Sequence, residues 1–312
     1  MNRIYACLTL ILTVVLTLVS GGVDAAPSSR VSWRNPQTGI TWVYRVKDKN
    51  EAVLCGIKRE DPPTGELRLP STVGQEEFVV TEIAYGAFNG LENVTGITVP
   101  ASVKTIGNGR RDLGNFCQGC ESLTFIRVDA ANAHYASDGV ALYDKNMRNL
   151  YAVPAGLKSF SVPEGVETIC VLAFGCHSGK CRKCDKLESV SVSKSVCKID
   201  AYAFSACKNL REVRMPATGV KEIGFAAFAG CESLESFDIP ASVTNLSNAC
   251  IVGCPNLKSI KFLGMVPPPL TAKDKFNVTF AGLNPSCEAL VPKAASGDWS
   301  TLEKLGLKIR RY

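Results

Sequence analysis

Apolar residues recur along most of this chain in one repeated phrase of short runs separated by polar pairs, written most cleanly between Val196 and Phe262. Val196, Ile199, Ala203, Phe204, Cys207, Leu210, Val213 and Met215 return as Val220, Ile223, Ala227, Phe228, Cys231, Leu234, Phe237 and Ile239. They return again as Val243, Leu246, Cys250, Ile251, Cys254, Leu257, Ile260 and Phe262. The offsets are 24 and then 23 residues, a period that marks a solenoid of stacked coils. Within a unit, Val213 and Met215 and their equivalents alternate with polar residues, as a half-buried strand requires. Pro216 and Pro240 end that strand because proline cannot donate to a ladder. The Val-x-x-Ile pair is expected to cross the far side of the coil, with Ala-Phe placing an aromatic ring between coils. Stacked in parallel, the strands are expected to form one continuous sheet with neighbours about 4.8 Å apart.

The same pattern runs upstream with interruptions. A first coil reads Val80, Ile83, Ala87, Phe88, Leu91, Val94, Ile97 and Val99, with Leu91 where later coils carry cysteine. A second runs from Val103 and Ile106 to Phe116, Cys120, Leu123, Ile126 and Val128, and holds a loop rich in Gly, Arg and Asp from Gly107 to Gly114. Between Asn132 and Val162 the repeat breaks. Strands over Val140–Tyr143 and Leu150–Val153, around the turn at Asp144–Asn146, predict a hairpin inserted into the stack. The fourth coil, Val166 to Val192, carries seven additional residues between Phe174 and Cys184.

Both ends depart from the repeat, as terminal units must when they hide a core edge from water. The segment up to Arg34 reads as short, polar and loose. Ile40–Val46 and Ala52–Ile57 predict a hairpin about Asp48–Asn50. After Pro267–Pro269, Leu290–Pro292 predicts a last strand and Trp299–Leu305 a short amphipathic helix. The expected division is therefore a leader at 1–25, an N-terminal β cap at 26–66, a solenoid at 67–262 with its hairpin at about 132–162, and a C-terminal cap at 263–312. The fold class is an α/β repeat that is β-rich, with parallel short strands and β-rich caps.

Composition adds a compartment. Arg3, the 14-residue apolar run Ala6–Val19 and the small residues ending at Ala25 read as a secretory leader cut after Ala25. That run is too short to span a bilayer comfortably, so an exported chain without a membrane span is expected. Asn93, Asn245 and Asn277 open Asn-x-Ser/Thr tripeptides that would suit glycosylation in such a compartment. The net charge of +6 is dispersed rather than clustered on one face, which argues against a nucleic-acid partner.

Ile239-Pro-Ala-Ser-Val243, the Ile-Gly-x-x-Ala-Phe-x-x-Cys-x-x-Leu run from Ile223 to Leu234, and the interrupting Asp138-Gly-Val-Ala-Leu-Tyr-Asp-Lys-Asn146 with Val153-Pro-Ala-Gly156 resemble the leucine-rich repeat family of BspA-like surface proteins. The resemblance covers roughly residues 67 to 312. It implies a secreted or surface-attached solenoid that binds other proteins, host matrix components in several bacterial members among them.

Cysteine dominates the reactive inventory. Fourteen are present, and loss of Cys7 with the leader leaves an odd 13, so at least one thiol is unpaired or bonded to another chain. Cys120, Cys184, Cys207, Cys231 and Cys254 share the inward position of the repeat. Side chains stacked in that way lie farther apart than a disulfide allows, so they read as buried thiols acting as small hydrophobes. Cys176, His177, Cys181 and Cys184 could converge on zinc. An exported protein more often oxidises such thiols, which gives a Cys176–Cys181 disulfide instead. Cys117–Cys120 and Cys181–Cys184 have redox spacing without the βαβ context that such chemistry uses. With His134 and His177 the sole histidines and no hydrolase or P-loop motif, no catalytic residue, metal or cofactor is assigned.

What remains is surface. Outward positions along the strand row are Gly96 and Thr98, Phe125 and Arg127, Ser159 and Ser161, Ser189 and Ser191, Glu212 and Arg214, Ser236 and Asp238, and Ser259 and Lys261. Arg214, Asp238 and Lys261 would be neighbours across coils and could form a charge ladder, while Phe125 on a polar face suits a contact anchor or is covered by the hairpin. The expected function is a non-catalytic binding or adhesion module for extracellular or cell-surface proteins, with Phe125, Arg127, Glu212, Arg214, Asp238 and Lys261 as its candidate contacts. A structural subunit of a surface assembly is the alternative, and a thiol or zinc enzyme the third.

Overall fold

The computed structural model describes residues 29–60, 62–107, 116–175, 185–270 and 278–312. The leader, most of the Gly107–Gly114 loop, the Cys176–Cys184 segment and Asn277 lie outside these residues.

Strands arise wherever the apolar alternation predicted them and in several further places. At the N-terminal end are β1 (Val31–Arg34), β2 (Thr41–Val46), β3 (Glu51–Ile57), β4 (Gly65–Arg68), β5 (Thr72–Val73) and β6 (Phe78–Ile83). Next come β7 (Val94–Val99), β8 (Thr105–Ile106) and β9 (Phe125–Val128), then β10 (Tyr135–Ser137), β11 (Leu142–Asp144) and β12 (Asn149–Ala152). The regular coils contribute β13 (Ser159–Ser161), β14 (Thr168–Ile169), β15 (Ser189–Ser191), β16 (Lys198–Ile199), β17 (Glu212–Arg214), β18 (Glu222–Ile223), β19 (Ser236–Ile239), β20 (Asn245–Leu246) and β21 (Ser259–Phe262). The chain closes with β22 (Glu288–Val291), helix α1 (Ser300–Lys304) and β23 (Lys308–Arg311).

Each regular coil therefore has two strands: one of three or four residues on the outward row, and the two-residue Val-x-x-Ile strand opposite. Between them the repeated apolar residues form the core. Phe204, Cys207, Leu210, Val220 and Ile223 are completely buried. Phe174, Phe204 and Phe228 stack face to face with centroids 4.5 Å and 4.8 Å apart, and Phe228 meets Phe237 at 4.7 Å. In these three coils the aromatic ring of each is thus seated on that of the next.

The outward row is not one sheet. It divides into β4-β7-β9, β13-β15-β17 and β19-β21-β22-β23, each internally parallel. This corrects the continuous sheet that the repeat implies, and two local causes account for it. At the first break the hairpin intervenes: Ile126 donates its N–H to Val140 rather than to a following outward strand. At the second, the turn Pro216–Val220 holds the extra residue that makes the offset 24 rather than 23.

The segment from 132 to 162 is also more than an insertion. β11 and β12 form the antiparallel hairpin, but β12 pairs in parallel with β14, and the row β10-β11-β12-β14-β16-β18-β20 makes one sheet opposite the outward row. Two apolar cores meet inside it. Leu142 and Ala152 belong to the N-terminal core, while Ala141, Tyr143 and Leu150 belong to the C-terminal one. Asn132 fixes its entry. Fully buried, it donates to the carbonyls of Pro100 (3.0 Å) and Val103 (2.9 Å) and accepts from the N–H groups of His134 and Tyr135 (2.8 Å each).

The ends also go beyond expectation. Val31–Arg34, read as loose, pairs antiparallel with β2. β3 then joins β6 in parallel, and buried Trp42 and Tyr44 close the first core. At the other end, Trp299 packs edge-on against Phe262 with centroids 5.4 Å apart. β23, which the sequence pattern did not predict, adds a last parallel strand to the outward row.

Candidate binding surface

The outward row is where side chains stand clear of the core. Along each strand the middle residue is buried (Ile97, Ile126, Phe160, Val190, Val213, Phe237 and Ile260) and its flanking residues turn outward. Period-two alternation produces that division, and the parallel register keeps it between paired strands: Gly96 lies beside Phe125, Thr98 beside Arg127, Ser159 beside Ser189 and Asp238 beside Lys261.

The first part of this face is organised by Phe125. Its ring occupies the space over Gly96 on the neighbouring strand, where an added Cβ would come within 2.0 Å of it. Arg127 lies over the ring, its guanidinium carbon 4.2 Å from the centroid. The ring remains half exposed between the Gly96 backbone and a cation. Beside it Thr98 donates to Glu66 at 2.8 Å, and that hydrogen bond, helped by Arg68, holds the Glu66 carboxyl below its usual range.

The middle of the face is small and polar: Ser159, Ser161, Ser189 and Ser191. Beyond it the expected charge ladder of Arg214, Asp238 and Lys261 does not form. Arg214 instead makes a bidentate pair with Glu212 on its own strand, at 2.7 Å and 3.0 Å. Lys261 places its amine 4.7 Å from the centre of the Tyr312 ring. Parallel pairing sets Asp238 beside Lys261, yet no ion pair joins them among the described residues. An alternating column does exist at the entrance to the strands, where Lys158 faces Glu188 at 3.8 Å and Glu235 faces Lys258 at 2.7 Å. Sequence reasoning missed it because the residues precede the strands, although the sign alternation Lys158, Glu188, Arg211, Glu235, Lys258 is visible in the repeat.

The cysteines line the interior. Cys120, Cys207, Cys231 and Cys254 are completely buried. Each directs its Sγ to the carbonyl of a Phe one coil earlier: Phe88 at 3.1 Å, Phe174 at 3.6 Å, Phe204 at 3.4 Å and Phe228 at 3.3 Å. The position thus selects a small apolar side chain that can also donate a weak hydrogen bond. Burial pushes the Cys254 thiol up to about 12 and the Cys117 thiol well above its ordinary value, the opposite of what a nucleophile or redox centre requires. Among the ten described cysteines, Cys55, Cys117, Cys197, Cys250, Cys254 and Cys287 are free thiols, and Cys197 is the exposed one. Cys184 and the Cys176–Cys181 pair, with His177, lie outside the described residues. Among the described residues no cluster of His, Cys, Asp or Glu could hold a metal ion, and His134 is exposed. Asn93 stands on an exposed turn, whereas Asn245 sits in β20 with its Oδ1 buried. No helix of the described residues is long and apolar enough to cross a membrane.

The family model for the BspA type leucine rich repeat region matches residues 73–132 and 177–267, in six copies. No curated protein matches the chain. Among solved structures, the pneumococcal vaccine antigen PcpA is 16% identical over 92% of this chain and 100% of its own, with a TM-score of 0.49. A leucine rich cell surface protein from Faecalibacterium prausnitzii is 17% identical over 92% of this chain and 99% of its own, with a TM-score of 0.46. A leucine-rich repeat protein from Eubacterium ventriosum is 18% identical over 82% and 95% respectively, at 0.43.

Proposed function

We propose that this chain, which matches the BspA type leucine rich repeat in six copies, is an exported, non-catalytic binding module for extracellular or cell-surface proteins. The observation that carries the reading is the outward row itself. Its exposed positions hold Arg127, Glu212, Arg214 and Ser236, residues that lie outside both apolar cores. The parallel register within each of the three outward sheets repeats that outward presentation along the row, and solenoids engage partners through such extended faces. Phe125 and Arg127 supply the aromatic and arginine contacts that concentrate binding energy at protein interfaces.

The test is capture of extracellular-matrix and cell-surface proteins on the immobilised mature chain. The expected result is recovery of one or a few proteins, reduced by Phe125→Ala together with Arg127→Glu. Capture unaffected by those two changes would move the contact away from Phe125 and Arg127, and no capture at all would overturn the reading. Assembly by edge-to-edge strand addition, the structural alternative, is disfavoured at the C-terminal edge. β23 presents Lys308, Arg310 and Arg311 there, all exposed, and charged edges resist pairing.

A further inference from the structure

The second break in the outward row is a shaped opening. β17 and β19 run side by side without sheet pairing. Their coils are nevertheless tied on both sides of the gap, by Ser233 N–H to Lys208 C=O at 2.9 Å and by Ala241 N–H to Ala217 C=O at 3.1 Å. Between these ties lies a shallow, half-open slit with a volume of about 270 Å³, lined by Glu212, Val213, Arg214, Met215, Ser236 and Asp238. The extra residue of the Pro216–Val220 turn accounts for it. β17 stops at Arg214, whereas β19 continues to Ile239, and Met215 is left half exposed where its equivalents Val192, Ile239 and Phe262 are buried.

The chemistry of the slit is asymmetric. Its lining is mostly polar, with one adaptable apolar contact in half-exposed Met215, an unbranched thioether of the kind that moulds itself to varied contacts. Its rim carries three charges, two of them engaged with each other in the Glu212–Arg214 pair. The third, the Asp238 carboxylate, has no ion-pair partner among the described residues. Lys261, its neighbour in register, holds its amine over Tyr312 instead. The apolar spot at Met215 beside one open carboxylate fits a side chain with an aliphatic stem and a cationic head. Main-chain groups that a ladder would have joined across the gap offer further hydrogen-bond partners.

We propose that the slit between β17 and β19 is a socket for one lysine or arginine side chain of a partner protein, its stem on Met215 and its charge on Asp238. This deepens the proposed binding function and rests on it. The site is local to one seam of the repeat, so it also predicts that the contact is made at this coil and not equally at its neighbours.

The socket can be tested without the partner. The ¹⁵N-labelled mature chain is titrated with N-acetyl-arginine amide, N-acetyl-lysine amide and N-acetyl-citrulline amide, the last being arginine's neutral isostere. The expected result is a set of saturable amide shifts at Val213, Met215, Ser236 and Asp238 with the two cations and not with citrulline. Asp238→Asn should weaken the arginine response roughly ten-fold, the loss of one charge-assisted hydrogen bond. Asp238 is on the surface, and an unchanged spectrum elsewhere shows that the variant is folded. No shifts, equal shifts with citrulline, or an undiminished response in Asp238→Asn would each overturn the socket. Because the probes are small molecules, a failed titration with intact protein capture refutes the socket alone, while failed capture with an intact titration refutes the wider reading.

Discussion

The ring of Phe125 fills the place of the side chain that Gly96 lacks: a Cβ at residue 96 would stand 2.0 Å from Phe125 Cζ. The obstructing atoms belong to the outer end of a side chain at the surface, so Gly96→Ala should swing the ring outward at a cost of about 1 kcal/mol or less. Gly224 gives the contrast. There an added Cβ would meet the backbone nitrogen of Ala201 at 2.7 Å, in a stack whose neighbouring coils cannot separate locally. Gly224→Ala should cost about 3 kcal/mol. Urea unfolding of the two variants measures both, and equal costs would show that the coils yield more easily than their contacts imply.

Asn132 supports the entry to the hairpin with four hydrogen bonds from a fully buried side chain. Asn132→Ala leaves two carbonyls and two N–H groups without it, and buried groups deprived of a partner cost about 1–3 kcal/mol each before relaxation. An overall loss of about 3 kcal/mol is expected. Asn132→Asp keeps the acceptor but places a carboxylate oxygen against the Pro100 and Val103 carbonyls, and should be at least as damaging. A loss below about 1 kcal/mol for both would mean that water replaces the amide.

The cysteine ladder makes a chemical prediction. Cys231 is completely buried with its thiol 3.4 Å from the Phe204 carbonyl. Phe204 also accepts from the Cys207 N–H, so losing the thiol does not orphan the carbonyl. Cys231→Ala should therefore cost about 1–2 kcal/mol, chiefly for the small cavity. Cys231→Val, which adds a branch where coils are in contact, should cost about as much or more. Thermal unfolding of the pair distinguishes a site chosen for size from one chosen for the thiol's hydrogen bond.

How much of this could be read from the chain depends on the range of the interaction. The inward residues were legible because stacking imposes one environment on every coil: Phe174, Phe204 and Phe228 do the same thing three times. The Phe125 seat was not, because it depends on the absence of a side chain at Gly96, one coil away and inconspicuous in the pattern. The slit was announced only by an offset of 24 instead of 23, and nothing in the sequence says whether a one-residue surplus bulges from the surface or parts two strands. The hairpin was recognised as a break, but its β12 edge joins β14 through backbone hydrogen bonds, which leave almost no trace in side-chain identity.

Alkali should unfold the protein through its thiols. Burial raises Cys254 from the ordinary value of 9.0 to about 12, and Cys287 from 9.0 to about 11. A thiol whose folded pKa lies above its unfolded one binds its proton more tightly when folded. Its contribution to stability is complete below about pH 9 and is lost as the pH rises from there towards the folded values. Urea midpoints should hold steady between about pH 7 and 8.5 and then fall, and replacing Cys254 with alanine should flatten that fall. A midpoint independent of pH up to about 11 would refute the argument.

Cys197 is the exposed thiol among the ten described cysteines. It lies just before β16, where Cys197 N–H donates to Glu167 C=O and Lys221 N–H to Cys197 C=O, so its backbone is held in the stack while its side chain meets solvent. Cys55 is half-buried, its thiol raised chiefly by that burial, and the other eight are enclosed. Reaction with a thiolate-selective reagent needs both access and ionisation. Brief native labelling at about pH 8, followed by peptide mass analysis, should therefore modify Cys197 first and Cys55 more slowly. Cys207, Cys231 and Cys254 should label only after denaturation. Early labelling of the ladder cysteines would mean that coils open locally under native conditions. A Cys197 that resists labelling until a reductant is added would mean instead that this thiol is the one the odd cysteine count leaves to pair with another chain.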